Sequence, residues 1–320
     1  MWSTDTLEWI DIELTSFCNI SCKGCFRVLS GHADKILNKS YIDLATIQKR
    51  FQKEMFPSIR IINFCGSVDE PTTHPEFFDI IRHFADWNAH INIATNGSLR
   101  TAKWWAELAA ILPPSHRVTW GIDGADETSE IYREGSKFRK VEQNYKAFIA
   151  AGGQAVWQFI VFEHNEHQLE TAKQMAKDEG FKDFKTIISH RKDTKDIKHK
   201  KTLKENSNPK ESQSPCISCK YGNQKRIFVN HMGNVIPCCH LNSKMMEYSV
   251  SGKVKDEFEQ ILEDEDYIND INLQNVSIEE ALTGKVFTDI IDSWTSPNQI
   301  SRCVSVCALK DRDTFIKEQL

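Results

Sequence analysis

The 320-residue sequence has no long apolar run, so nothing in it reads as a helix that crosses a bilayer. Its first residues, Met1 to Ile10, lack the basic start and apolar stretch of a secretory signal. Basic residues are not in excess: 40 Lys and Arg stand against 45 Asp and Glu, a net charge of −5, which removes any whole-chain electrostatic case for a nucleic-acid partner. No internal repeat is evident, so a repeat architecture is not expected. These absences point to a cytoplasmic globular protein. Its length suits one enzyme domain of about 200 residues with a smaller module attached.

What the chain has is cysteine. Ten cysteines without an export signal argue for metal or catalysis rather than disulfides. Three of them, Cys18, Cys22 and Cys25, stand at Cys-x3-Cys-x2-Cys spacing directly after the alternating segment Trp9 to Leu14. Ile10, Ile12 and Leu14 fall on one side of that segment and Trp9, Asp11 and Glu13 on the other, the pattern of a strand. The cysteines therefore lie on a loop leaving its C-terminal end. Three thiolates on one compact loop suit three irons of a cubane iron–sulfur cluster; a fourth thiolate would close it, and none is adjacent in sequence. An open iron is the kind of free position that catalytic metal sites keep. A zinc site or redox-inert cysteines are the competing reading.

The rest of the first 190 residues alternates strand and helix six times. Strands are expected at Ile59 to Phe64, His90 to Ala94, Arg117 to Ile122, Ala155 to Phe162 and Phe184 to Ser189. Helices are expected from Ser40, as cap, to Met55, then at Pro75 to Asn88, up to Leu112, at Phe138 to Ala151 and at His167 to Glu179. Alternation of this kind calls for a parallel sheet covered by helices, curled by right-handed crossovers. Residues 191–215 are polar and Lys-rich and read as a linker. Beyond them, Cys216, Cys219, Cys238, Cys239, Cys303 and Cys307 surround two short β runs that make a hairpin at Gly233-Asn234, with an acidic helical stretch from Asp256 to Asp270. The chain thus divides into 1–190, 191–215 and 216–320.

The cysteine loop after the first strand resembles the main mark of the radical S-adenosylmethionine (radical SAM) superfamily. The resemblance implies a partial (β/α)6 TIM-like barrel. It also implies a [4Fe-4S] cluster on Cys18, Cys22 and Cys25, with S-adenosylmethionine on the open iron. Reductive cleavage of that cofactor gives a 5′-deoxyadenosyl radical that takes a hydrogen atom from the substrate. One departure stands out: many members carry an aromatic residue just before the third cysteine, where this chain has Gly24. Phe26 follows instead.

Gly66-Ser67-Val68-Asp69-Glu70-Pro71 resembles the family's glycine-rich segment, which binds the methionine amino group, although Asp69 stands where a second glycine is usual. Thr95-Asn96-Gly97 resembles the Thr-Asn-Gly that reaches the cofactor. Gly66, Ser67, Asp69, Glu70, Thr95 and Asn96 are accordingly candidate cofactor-binding residues. Asp123, after the fourth strand, is a candidate for the ribose hydroxyls, and Arg133 for the methionine carboxylate. The late cysteines resemble the SPASM or shortened Twitch module, a β-hairpin plus helix domain that holds an auxiliary cluster. Cys238, Cys303, Cys307 and either Cys219 or Cys216 are the candidate ligands, unless Cys216 and Cys219 both bind and only one of the late pair does, with structural zinc as the alternative.

Cys65, left over beside the cofactor site, is a candidate hydrogen-atom donor of the kind that radical SAM epimerases use. The implied partners are a flavodoxin- or ferredoxin-type electron donor and a peptide or small-molecule substrate. The outcome is expected to be oxidation, epimerisation or cross-linking. With the first strand starting near residue 9, no peptide-recognition domain is expected ahead of the barrel. An RNA-modifying enzyme using the Lys-rich linker and a non-catalytic iron–sulfur or zinc protein are the rival functions.

Overall fold

The structure is a computed structural model. It describes residues 2–29, 39–65, 68–188, 198, 216–253, 256–263 and 265–308. Gly66, Ser67 and, Lys198 apart, the Lys-rich 191–215 segment lie outside the described residues.

Eight strands form one sheet in the order β6-β5-β4-β3-β2-β1-β7-β8. The first six are β1 (Trp9–Ile12), β2 (Ile61–Phe64), β3 (His90–Thr95), β4 (Arg117–Gly121), β5 (Ala155–Val161) and β6 (Asp183–Ile188). All pair in parallel, as the alternation of strand and helix requires. Their helices are α1 (Phe26–Leu29), α2 (Leu44–Arg50), α3 (Phe77–Ala85), α4 (Ala102–Ile111), α5 (Ser129–Tyr132), α6 (Phe138–Ala150) and α7 (Leu169–Asp178). Strands β1 to β4 turn one set of side chains against this helical layer: Ile10, Ile12, Ile62, Phe64, Ile91, Ile93, Val118 and Trp120 are all fully buried.

Two local differences from expectation have clear causes. The helix expected from Ser40 starts only at Leu44. Tyr41 is held extended by a bridge to Thr15, and Asp43 is the cap, accepting from the Thr46 N–H at 2.7 Å. The short α5, too brief to show periodicity, was not expected.

The larger finding concerns the C-terminal region. Here α8 (Lys220–Asn223) leads into β7 (Arg226–Val229) and β8 (Val235–Ile236), followed by α9 (Cys239–Ser251). Then come α10 (Glu259–Leu262), α11 (Glu265–Ile271), α12 (Ile278–Thr283), α13 (Lys285–Ser293) and α14 (Ser301–Cys307). The expected hairpin is present, with Gly233 at φ +83° in its turn. It is not free-standing, because β7 pairs in parallel with the outer edge of β1, from Trp9↔Arg226 to Ile12↔Val229.

Side chains tie the same seam. The Trp2 indole donates to the Arg226 carbonyl, and Thr4 donates from N–H and hydroxyl to Glu279. Arg226 pairs with Asp11 at 2.6 Å and His231 with Glu13 at 2.7 Å. One apolar cluster runs from Trp2 and Ile10 through Phe228 and Phe258 to Ile290 and Ile300. The apolar residues after residue 190 do not build a separate core. Those present are instead pooled with the barrel's.

Pooling has a measurable consequence. Phe228, 1% exposed and facing Asp11 across the β1–β7 pair, should cost about 3–5 kcal/mol when replaced by Ala. The whole described chain should then melt earlier in a single transition, read by circular dichroism and tryptophan fluorescence together. Separate melting of the C-terminal region would contradict a shared core.

Candidate functional site

The strand pattern delivers the loop of residues 16–25 to the C-terminal end of β1, and other elements hold it there. Ser16 is tied to Ser40 by backbone and side chain, and Arg27 reaches back to the Ser16 carbonyl at 2.7 Å and the Val68 carbonyl at 3.1 Å. Glu70 is the central pin. Its N–H donates to the Phe17 carbonyl, one carboxylate oxygen accepts from Thr72 and Thr95, and the other accepts from the Asn96 N–H at 2.7 Å. Glu70 and Thr95 are buried and spend their polar groups on each other. They therefore position the site. Asn96 reaches the loop itself, with its amide directed at Cys18 Sγ (3.7 Å) and Asn19 Oδ1 (3.0 Å).

The three loop thiols are partly buried. Burial pushes Cys18 up to about 12 and Cys22 up to about 11. Arg133 opposes the rise at Cys22, and Glu70 adds to that at Cys18. Thiols held protonated this way become ligands by exchanging the proton for iron, which deprotonates a coordinating thiol outright.

Arg133 and Asp123 are brought together. Their side chains pair at 2.8 Å, and Asp123 also accepts from the Ile160 N–H at 2.7 Å. Asp123 is fully buried, with its carboxylate turned to Arg133. Gly121 makes room for the guanidinium, since a Cβ there would meet Arg133 Nη2 at 2.4 Å.

Asp69 is the reverse case. Its Oδ2 is buried with no hydrogen-bond partner among the described residues. Burial, then the Glu13 and Glu70 charges, raise its pKa well above the usual carboxylate range. A buried carboxylate with one oxygen lacking a partner among the described residues suits a cationic ligand.

Cys65 lies at the end of β2 inside the sheet. The Asn63 amide donates to its sulfur and to Asp11, and Asp11 Oδ1 stands 4.0 Å from that sulfur. Burial and the Asp11 charge raise its pKa, so it remains a thiol. From Asp11 the chain of contacts continues through Arg226, stacked over Trp9 (3.9 Å) and Tyr221 (4.8 Å), to Cys239, whose sulfur is 3.1 Å from the Tyr221 hydroxyl. Arg226 and Tyr221 were missed from sequence. The acidic Asp11 and Glu13 in an otherwise apolar strand were the available signal that partners would be needed.

The second cysteine set converges as well. Cys219, Cys238, Cys303 and Cys307 line one small cavity with Pro237, Leu241, Ile290 and Trp294. Local structure puts each there: Cys219 and Cys238 cap α8 and α9, and Cys303 and Cys307 share a face of α14 at i, i+4. The Ile217–Ala308 bridge and the Ser218 N–H to Cys307 carbonyl bond close the loop between them. Burial pushes Cys238 and Cys303 up to about 12, while the Cys219 thiol donates to Cys307 and lowers it to about 6. Cys216, exposed, and Cys239 both stand outside this lining. Cys219, not Cys216, is thus the one brought to the others. Among the described residues no three Cys, His, Asp or Glu side chains close on a single metal ion. A polynuclear cluster needs wider spacing, one thiolate to each iron.

Comparison with known proteins agrees with this geometry. A model of the Radical SAM superfamily matches residues 12–178, more than half the chain, and a model of an iron–sulfur cluster-binding domain, SPASM, matches residues 216–308. The tungsten-containing aldehyde ferredoxin oxidoreductase cofactor-modifying protein of Pyrococcus furiosus is 29% identical over 179 residues. Those residues are 51% of this chain and 46% of that protein, so the match spans about half the relative's length. The solved structure of anSMEcpe with bound AdoMet and Cp18Cys peptide superimposes with a TM-score of 0.57 at 16% identity, over 91% of this chain and 84% of that one. Streptococcus suis SuiB bound to precursor peptide SuiA gives 0.56 at 12%, over 93% and 76%. Identities this low speak for the fold alone. Among the described residues, no helix is long and apolar enough to cross a membrane.

The ligand sets separate cleanly by mutation. Anaerobically reconstituted protein should hold about eight irons, four for each cluster. Replacing Cys18, Cys22 and Cys25 together by Ala should halve the count, and so should Cys303→Ala with Cys307→Ala. Cys216→Ser and Cys239→Ser should leave it unchanged. Iron analysis reads all four, and loss of iron from Cys216→Ser would reassign the ligand.

Proposed function

The chain belongs to the radical SAM superfamily, and from that premise we propose that it oxidises a peptide or small metabolite by hydrogen-atom abstraction. Its cofactors are a [4Fe-4S] cluster, S-adenosylmethionine and an auxiliary iron–sulfur cluster. When bound, they supply reductive cleavage of S-adenosylmethionine to a hydrogen-abstracting radical, and an acceptor for the electron left on the substrate.

The observation that carries the oxidative reading is the placement of the two thiol sets on one sheet. Cys18, Cys22 and Cys25 leave β1, while Cys219 and Cys238 flank the β7–β8 hairpin that pairs with β1. The polar row Cys65–Asp11–Arg226–Tyr221–Cys239 lies between them. We take this row as the place where a substrate would meet both sites.

This chain's residues then divide the work. Asp69 receives the methionine ammonium on its unpartnered oxygen. Arg133, held by Asp123 beside Cys22, takes the methionine carboxylate. Asn96, Thr95 and Glu70 hold the loop that presents the three thiols. Cys65, kept as a thiol by burial, supplies a hydrogen atom where the product radical must be quenched instead of oxidised, and the thiyl left behind returns to a thiol by taking one electron from a flavodoxin- or ferredoxin-type donor and one proton. The peptide arm of the substrate class draws support from anSMEcpe and SuiB, whose structures hold peptides. The small-molecule arm draws support from the cofactor-modifying relative.

Reduced protein under anaerobic conditions should form 5′-deoxyadenosine from S-adenosylmethionine. Asp69→Asn should bind S-adenosylmethionine about ten- to a hundredfold more weakly, because a hydrogen bond between charged groups contributes roughly 1.5–3 kcal/mol. Since Asp69 must be ionised to pair with an ammonium and its pKa is raised, wild-type affinity should fall as pH is lowered, and the Asn variant should not follow. Absence of deoxyadenosine would overturn the proposed activity. Unchanged affinity in Asp69→Asn would remove Asp69 from the site and leave the activity standing.

A further inference from the structure

The cysteine loop is gripped along its length by the segment that ends α5. The Ser21 N–H donates to the Glu134 carbonyl at 2.8 Å and the Lys23 N–H to the Tyr132 carbonyl at 3.0 Å. The Tyr132 ring lies directly on Gly24. A Cβ placed on Gly24 would stand 3.0 Å from Tyr132 Cε2 and 3.2 Å from its hydroxyl oxygen. Gly24 is not among the glycines with positive φ, so its backbone does not demand glycine. The volume does.

Tyr132 is 4% exposed, and its ring packs on Phe162 with centroids 4.5 Å apart, tilted by 35°. Cys22 and Ile160 pack against that pair, so the ring touches the loop beside its second cysteine as well as before its third. Position 24 is where the resemblance leads one to expect an aromatic side chain. In this chain the ring arrives from more than a hundred residues downstream.

We propose that Tyr132 is a positioning residue for the Cys18, Cys22, Cys25 cluster. Gly24 is the socket and the Tyr132 ring the wedge that holds the turn from Cys22 to Cys25, so that its thiols face one cluster. The pair is complementary: Gly24 leaves the space that the Tyr132 ring fills, and that space has room for one ring. This inference rests on the cluster assignment above and has its own readout.

The test is a ring swap in the full-length reconstituted protein. Gly24→Phe alone puts two rings in one space. Its iron should fall to about half of wild type, with the auxiliary cluster retained as an internal control of folding. Adding Tyr132→Ala to Gly24→Phe should restore the iron. It should also restore the change that added S-adenosylmethionine makes in the electron paramagnetic resonance spectrum of the reduced cluster. Tyr132→Ala alone should let a chelator strip the first half of the iron several-fold faster than in wild type, while Tyr132→Phe strips at the wild-type rate.

A double variant no better than Gly24→Phe, or a Tyr132→Ala protein that resists the chelator as wild type does, would overturn the proposal. Failure of the cluster assignment shows differently: the triple cysteine variant would then keep all its iron whatever occupies positions 24 and 132.

Discussion

Strand β1 is paired on both edges, and the rest of the molecule depends on that. Four residues, Trp9 to Ile12, bond to β2 on one side and to β7 on the other. In a parallel barrel left open, an unpaired edge strand would expose a row of N–H and C=O groups. The chain covers that edge with its own C-terminal region. The carboxylates of β1 and the residue after it complete the junction: Asp11 meets Arg226, and Glu13 meets His231. Breaking a buried pair by removing one partner costs about 3–5 kcal/mol, so neither half is free to move without the other. The loop that carries Cys18, Cys22 and Cys25 leaves the strand that is held most firmly.

That arrangement explains why polar groups fill a place where apolar ones would be ordinary. Asp11, Asn63 and Asn92 sit in register on adjacent strands and bond to one another, with Thr119 donating to Asn92. Each buried group in this row has a partner, which keeps its burial affordable in free energy and gives the inner face of the sheet a fixed pattern of donors and acceptors. The outer face of the same strands is apolar apart from Thr95 at the end of β3. One side of the sheet builds the fold and the other is free for chemistry.

Much of this was legible in the sequence because it is local. The cysteine spacing, the alternation of Trp9 to Leu14 and the apolar run at Ile59 to Phe64 depend on near neighbours, and the strands fall close to where those patterns put them. What was not legible depends on contacts far apart in the chain. Nothing local in Arg226 to Val229 announces a partner strand more than 200 residues earlier. Nothing near Asp123 shows that its carboxylate is already taken by Arg133. The choice of Cys219 over Cys216 follows from which of the two caps α8 and faces Cys307. Gly24 was visible as a departure, but its explanation, the Tyr132 ring, comes from a short helix without periodicity of its own.

The central claim is that the three thiols after β1 hold a cluster with one iron open to S-adenosylmethionine. Electron–nuclear double resonance of the reduced, reconstituted protein tests it most directly, using S-adenosylmethionine labelled with ¹⁵N in its amino group and ¹⁷O in its carboxylate. The account predicts hyperfine coupling from both labels, and its disappearance when Cys18, Cys22 and Cys25 are replaced by Ala. A reduced cluster that shows no coupling to either label would contradict it.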